Sequence, residues 1–298
     1  MSRLLKAELF KLRKNKTFIV LCIVIAVFAC MTTGITKLVC NESFLRGSLS
    51  GMTEQQKDQY IQGLKNSANN QNQNASGNMS IGVHVSTKDL FNPKARDLFY
   101  SSFGSGLIEI FLSILVGAMV AKEYSSGTIK NTLAYGKKRW QYYVSKVIVN
   151  TVGGTILLAI TVGISTLLSC MLFGWGDPFT FSELVNMLKT ILGCIVMIFA
   201  TSSLLVLIAT FTKSNGGTIA IGIILLVIGQ SVLSELYLLE VFKWLKPIYN
   251  VTITHNWAEM IKPPVENAAL LKAVFIGAAI TVISSIPGIA LIKNQDIK

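Results

Sequence analysis

The segment VIVNTVGGTILLAITVGISTLLSCMLFGW, residues 147–175, contains no Asp, Glu, Lys or Arg. A helix that crosses the bilayer core, which is about 30 Å thick, needs roughly 20 consecutive apolar residues. These 29 residues are enough to span a membrane with a tilt or with an added flanking turn. We therefore expect a membrane-spanning helix here.

Five more apolar runs lie along the chain, at residues 18–39, 101–121, 187–211, 218–236 and 272–292. The first run is longer than the apolar core of a cleaved signal peptide, so we expect it to be a retained helix. Only 14% of the residues are charged and the mean hydropathy is +0.55, whereas a soluble domain has about 25% charged residues. The sequence predicts an all-α membrane protein with six transmembrane helices in one domain, residues 18–298.

The basic residues are distributed unevenly between the two ends of these spans. Residues 1–17, 122–146, 212–217 and 293–298 hold 15 of the 27 Lys and Arg residues but only three acidic ones. The rest of the chain has 12 basic and 12 acidic residues. Because cytoplasmic loops are enriched in Lys and Arg, we expect both termini inside (N-in/C-in). The net charge of +12 then reflects topology, and we expect no nucleic-acid partner.

An insert of about 60 residues, 40–100, is predicted to be extracellular. We expect a short helix at 53–64, disorder in the Asn-rich tract 66–78, and a short strand at 81–85. The later connection 238–271 contains aromatic residues and three prolines. It fits short helices at the outer interface, and an additional membrane crossing is the alternative.

Residues 1–17 predict a basic amphipathic helix at the membrane interface. Leu5, Leu9 and Leu12 fall on one helical stripe, with basic residues on other faces. The alternative is a basic leader that only sets topology.

Residues 122–146 predict a cytoplasmic helical hairpin. Ser125 or Ser126 can cap a helix that runs to Leu133, Gly136 can end it, and a second helix then leads into the third span. The alternative is an ordinary basic loop that aromatic residues anchor at the interface.

The segment 122–146 resembles the ABC-2 type transporter permeases. The similarity consists of Glu123 just after the second span, Ser126-Gly127-Thr128, a short apolar-basic helix at 129–133, and a basic step from Lys137 to Lys146. The N-terminal LLKAELFKLRKNK also resembles that family's interfacial elbow helix. In size and leader, the chain is most similar to permeases of bacitracin-resistance and lantibiotic-immunity exporters.

The resemblance implies a permease of the bacterial cytoplasmic membrane that exports peptide antibiotics or other amphipathic compounds. It implies a second permease chain, in a homodimer or a heterodimer, and two copies of an ABC ATPase that bind ATP and Mg²⁺. Membrane lipid is a further expected partner. The residues it assigns to ATPase coupling are Glu123, Gly127, Thr128, Lys130, Lys137, Lys138 and Arg139.

The sequence contains no motif for chemistry in this chain. A phosphate-binding loop needs Gly-x-x-x-x-Gly-Lys-Ser/Thr, but Gly136-Lys137 is followed by Lys138 and lacks the upstream glycine. His84 and His255 lie in separate predicted outer regions and do not suggest a metal site. We expect no cofactor in this chain and no enzymatic activity.

Glu109 is the carboxylate that lies well inside a predicted span, 101–121. A buried charge in a membrane is costly and often functional, so Glu109 is a candidate for the substrate path or for pairing with Lys189. Alternatively, the span begins later and Glu109 is interfacial. Two other functions remain open: a proton-coupled secondary transporter, and a non-transporting membrane sensor or assembly subunit.

Overall fold

The computed structural model describes residues 1–74, 91–104, 106–129, 138–176, 178–238 and 244–294. Their regular structure is helical, so the prediction of an all-α membrane protein is confirmed. The predicted strand at 81–85 and the helix stop at Gly136 lie outside the described residues.

The described residues up to Ser125 form seven helices, and a π-helical segment, Gly117–Ala121, links the last two of them. They are α1 Ser2–Lys14, α2 Lys16–Val39, α3 Glu42–Ser48, α4 Glu54–Asn74, α5 Ala95–Ser101, α6 Leu107–Val116 and α7 Lys122–Ser125.

From Arg139 onwards the described residues form seven more helices, and a second π-helical segment, Ile224–Ile228, links α10 to α11. They are α8 Arg139–Phe173, α9 Phe181–Thr212, α10 Asn215–Ile223, α11 Gly229–Leu238, α12 Leu245–Asn250, α13 Ile253–Met260 and α14 Asn267–Asn294.

Local sequence accounts for several of the helix ends. The Asn15 side chain accepts a hydrogen bond from the Thr17 amide at 2.8 Å and caps α2, as a polar N-cap residue commonly does. Thr180 caps α9 in the same way. Gly174, at a φ of 72°, ends α8 in a conformation that glycine adopts without strain.

Within the part of the chain that the structure describes, five helices are long and apolar enough to cross a membrane: Lys16–Val39, Arg139–Phe173, Phe181–Thr212, Asn215–Tyr237 and Asn267–Asn294. The predicted span 101–121 differs from these. Its helix begins only at Leu107 and changes to π geometry at Gly117. Residues 107–121 rise about 22 Å, less than the thickness of a bilayer core. The count of six spans stays a prediction.

Helix α9 is the centre of the bundle and contacts α6, α8, α10, α13 and α14. Small residues permit these close contacts. A Cβ atom on Gly154 would lie 2.9 Å from both Leu112 and Ile198, and one on Gly222 would lie 2.6 Å from the Ser113 hydroxyl. Gly154 and Gly222 therefore allow close contact between helices of the same chain, and these two positions are not left open for a second copy.

The insert is more helical than expected. Helix α4 begins at Glu54, near the predicted position, but continues to Asn74 through much of the tract that we expected to be disordered. In the connection 238–271, the described residues form two short helices, α12 and α13, and α14 already begins at Asn267.

Candidate functional site

Helix α1 places the charged side chain of Glu8 against one end of the bundle. The sequence predicts that this end is cytoplasmic, and we call it the inner end. Leu4, Glu8 and Leu12 recur every four residues and are all buried, so they share one face of the helix. Glu8 is 0% exposed. The stripe predicted from the sequence was different, since Leu9 is exposed.

Glu8 belongs to a closed cluster of two carboxylates and two ammonium groups, which we call the junction cluster: Glu8, Lys11, Glu123 and Lys146. The Lys146 Nζ atom lies 2.5 Å from Glu8 Oε2 and 2.8 Å from Glu123 Oε1. Lys11 Nζ lies 2.7 Å from Glu8 Oε1 and 3.0 Å from Glu123 Oε1. The formal charges cancel, so Glu8 and Lys146 can be buried without an unpaired charge.

Polar contacts to the π-helical segment and to α8 surround the junction cluster. Lys146 Nζ also donates to the Met119 carbonyl at 3.2 Å. The Tyr142 hydroxyl donates to Glu123 Oε2 at 2.9 Å. Met119 lies in the first π-helical segment, and such segments often occur at functional sites. The cluster thus connects α1, the end of the second predicted span, and the start of the third.

The electrostatics favour the charged form of Glu123. Burial opposes ionisation, but the ammonium groups of Lys146 and Lys11 outweigh it and hold the pKa of Glu123 below its ordinary value. The pKa of Lys11 is raised: burial opposes the shift, but hydrogen bonding and attraction to Glu8 and Glu123 outweigh it. The charged forms of Glu123 and Lys11 are therefore stabilised by the oppositely charged groups beside them.

Of the residues assigned to coupling that the structure describes, only Glu123 lies in the junction cluster. Gly127 forms a turn with a φ of 69°, and the Thr128 hydroxyl lies 3.1 Å from that of Ser126. Lys138 is exposed at the start of α8. Lys130 and Lys137 lie outside the described residues.

Arg139 has a defined contact at the inner end. Its guanidinium donates to the carbonyl oxygens of Ile292 and Lys293 at 2.8 and 2.7 Å. These carbonyls belong to the last turn of α14, where backbone acceptors lack helical partners. Arg139 therefore ties the start of α8 to the C-terminal end of α14.

Sequence reasoning did not assign Glu8, Lys11, Lys146 or Tyr142 to the site. One signal was available for Glu8, because it is the single acidic residue in a strongly basic leader. It also lies four residues from Leu4 and from Leu12, a spacing that predicts a shared face.

Glu109 lies in the first turn of α6 and is 3% exposed. One of its carboxylate oxygens is buried without a hydrogen-bond partner. The alternative of a pairing with Lys189 is not observed, and Lys189 Nζ instead donates to the Val265 carbonyl at 3.2 Å. A first-turn position favours a negative charge through the helix dipole, and Glu109 stays a candidate for the substrate path.

Ionisable groups at the opposite end of the bundle join the insert to α9. Arg96 Nη2 lies 2.9 Å from Glu183 Oε2, and the Tyr100 hydroxyl donates to Glu183 Oε1 at 2.9 Å. Within the described ranges, no group of three or more His, Cys, Asp or Glu residues is placed to hold a metal ion.

Comparison with known proteins gives the family. The family model described as "ABC-2 family transporter protein" matches residues 31–248, nearly three quarters of the chain. Searches of curated proteins and of solved structures gave no match. The matched region runs from α2 to α12 and includes Glu123 and Lys146 of the junction cluster. The chain belongs to the ABC-2 family of transporter proteins, as a multi-pass membrane permease subunit.

Proposed function

We propose that this permease is the membrane half of an ATP-driven exporter in a bacterial cytoplasmic membrane, and that the junction cluster transmits movement of a partner ATPase to the spans. The cluster is the observation that carries the proposal. It joins α1 and α7 to the start of α8 through four ion-pair contacts of 2.5–3.0 Å. A push on the 122–146 segment would therefore move three elements together.

The physical argument rests on how buried ion pairs resist separation. Pulling Glu123 away would leave Lys146 charged and without this partner in a site where its side chain is 0% exposed. Breaking a buried pair costs about 3–5 kcal/mol, so the elements should move as one body. ATP and Mg²⁺ would bind to the ATPase, with two copies serving two permease chains.

The first test is purification of the full chain from native membranes in mild detergent. We expect a stoichiometric partner that carries a phosphate-binding loop. A reproducible complex without such a partner would contradict the proposal and favour a membrane sensor or assembly subunit.

The second test separates coupling from assembly. In proteoliposomes that contain the complex, Glu123→Gln should reduce transport severalfold while the ATPase still copurifies. Glu259→Gln is a matched control, because Glu259 pairs with Lys262 at 2.9 Å and both side chains are 39% exposed. Equal transport by the two variants would remove the proposed role of Glu123.

The expected substrates are peptide antibiotics or other amphipathic compounds, and Glu109 is the candidate contact on their path. A buried carboxylate with an unpartnered oxygen could meet a cationic group of such a substrate. Glu109→Gln should then impair export of a cationic peptide while expression is preserved. Unchanged export would remove Glu109 from the proposed substrate path.

A further inference from the structure

A groove of about 620 Å³ lies on the surface where α1, α2 and α8 meet, at the inner end. Its volume is within the range of sites that bind small molecules, roughly 300–1,000 Å³. The lining is apolar apart from one charged side chain, Arg13, which comes from the last turn of α1. A ligand for this groove would combine a long apolar part with an anionic end.

The dimensions of the groove match one leaflet of a bilayer. Its α2 wall runs from Phe18 to Val27, which corresponds to a rise of about 14 Å. Half of a bilayer core is about 15 Å. Ile23 and Val27 are 60% and 53% exposed, so the groove is open along its length to the lipid phase.

Arg13 differs from its neighbour Lys11 in its partners. Lys11 lies in the junction cluster, whereas no carboxylate in the described part of the chain forms an ion pair with Arg13. The planar guanidinium of arginine matches a phosphate group in two-point geometry. Basic pockets between helices on the cytoplasmic side are suited to anionic headgroups.

We propose that this groove binds one acyl chain of an anionic phospholipid, with the lipid phosphate at Arg13. The apolar walls of the groove cover the acyl chain to the depth of one leaflet, and Arg13 supplies a positive charge at the level of the lipid headgroup. Because α1 also carries Glu8 and Lys11, a bound lipid would brace the helix that enters the junction cluster.

The headgroup contact is tested by native mass spectrometry of the full chain in neutral detergent, with equal amounts of dioleoyl-phosphatidylglycerol and dioleoyl-phosphatidylcholine. The two lipids differ only in the headgroup. The unmodified chain should retain phosphatidylglycerol with roughly fivefold preference, the effect of one basic residue near an anionic surface. Arg13→Gln should abolish that preference, and Lys14→Gln, which removes a charge from the same turn outside the groove, should keep it. Equal behaviour of the two variants would overturn the proposal.

Binding of the acyl chain is tested by placing a larger side chain in the groove. Ala26 lines it, whereas Val24 is exposed on the same helix outside it. Ala26→Phe should reduce retention of both lipids, and Val24→Phe should not. If Ala26→Phe instead changes the oligomeric state and leaves lipid retention intact, the groove is an interface between copies of this chain, and the lipid proposal is wrong.

Discussion

Among single residues, Glu8 and Lys146 are two charged side chains that are almost completely buried. Their side chains are 1% and 0% exposed, and their charged atoms are in direct contact. Burying two charges costs several kcal/mol per ion, which the pairing offsets only while both partners are present. The stability of the inner end should therefore depend on each of them.

Glu8→Gln should destabilise the protein by about 3–5 kcal/mol, because it leaves Lys146 buried with half of its compensation. Chemical unfolding in detergent would measure this loss. Glu259→Gln, which removes an exposed partner, should cost less than about 1 kcal/mol. The double variant Glu8→Leu/Lys146→Met should recover much of the stability, since an apolar pair can replace a buried ion pair. A double variant no more stable than Glu8→Gln would contradict this account.

The lowered pKa of Glu123 predicts the pH dependence of the inner end. A carboxyl group whose pKa is depressed by folding contributes stability that is present above its ordinary value of 4.5 and is lost as the pH falls through the folded value. The unfolding temperature should therefore fall below about pH 4.5. The fall should be smaller in Glu123→Gln, measured by thermal unfolding across the acid range. An identical fall in both proteins would show that other carboxylates cause it.

Among the helices, α8, α9 and α14 meet closely around one tyrosine side chain. The Tyr143 ring of α8 lies against Gly288 of α14, where a Cβ atom would collide with it. The Tyr143 hydroxyl lies 3.1 Å and 3.3 Å from the carbonyls of Ser203 and Ser284. One tyrosine thereby contacts two neighbouring helices.

Gly288→Ala should destabilise the protein by about 1–3 kcal/mol, because the added methyl group must displace Tyr143 from a filled site. Thermal or chemical unfolding would measure the change. Gly163→Ala is the matched control, since nothing lies within 4 Å of a Cβ atom at this helical glycine, and alanine is the better helix former by up to about 1 kcal/mol. If Gly288→Ala leaves the stability unchanged, α14 can shift away from α8 at little cost in free energy.

Across the whole molecule, the contacts divide the chain into two ends. The junction cluster and the Arg139 contact bring α1, α7, the start of α8 and the end of α14 together at one of them. At the other, the Trp257 indole donates to the Phe103 carbonyl at 2.9 Å and Thr190 donates to the Met260 carbonyl at 2.9 Å. The elements predicted to be cytoplasmic thus share an end, and the side of the membrane that this end faces stays a prediction.

Labelling of single cysteines in intact cells would test the orientation. In a background without the native cysteines, Glu54→Cys and Lys262→Cys should react with a membrane-impermeant thiol reagent. Lys14→Cys should react only after the cells are opened, because the basic inner end is retained in the cytoplasm. Labelling of Lys14→Cys in intact cells would reverse the assigned topology.

The sequence by itself determined the class of fold and the family, because the signals involved are local. Long uncharged runs fix where a helix can cross a membrane, and a basic segment such as 122–146 carries the family resemblance in contiguous residues. The boundaries of the second span were less well predicted, since a break before Leu107 and a π-helical segment at Gly117 leave the apolar pattern almost unchanged.

Only the tertiary structure decided which charges meet. Glu8 and Lys146 lie 138 positions apart. The spacing of Glu8 from Leu4 and Leu12 predicts a shared face, but nothing local distinguishes Lys146 from the other lysines at the inner end or identifies it as the partner of Glu8. The hydropathy of a segment predicts whether it enters the membrane. It does not predict which residues each side chain contacts there. That choice depends on helix rotation and packing, where a charge must find its counter-charge to be buried at all.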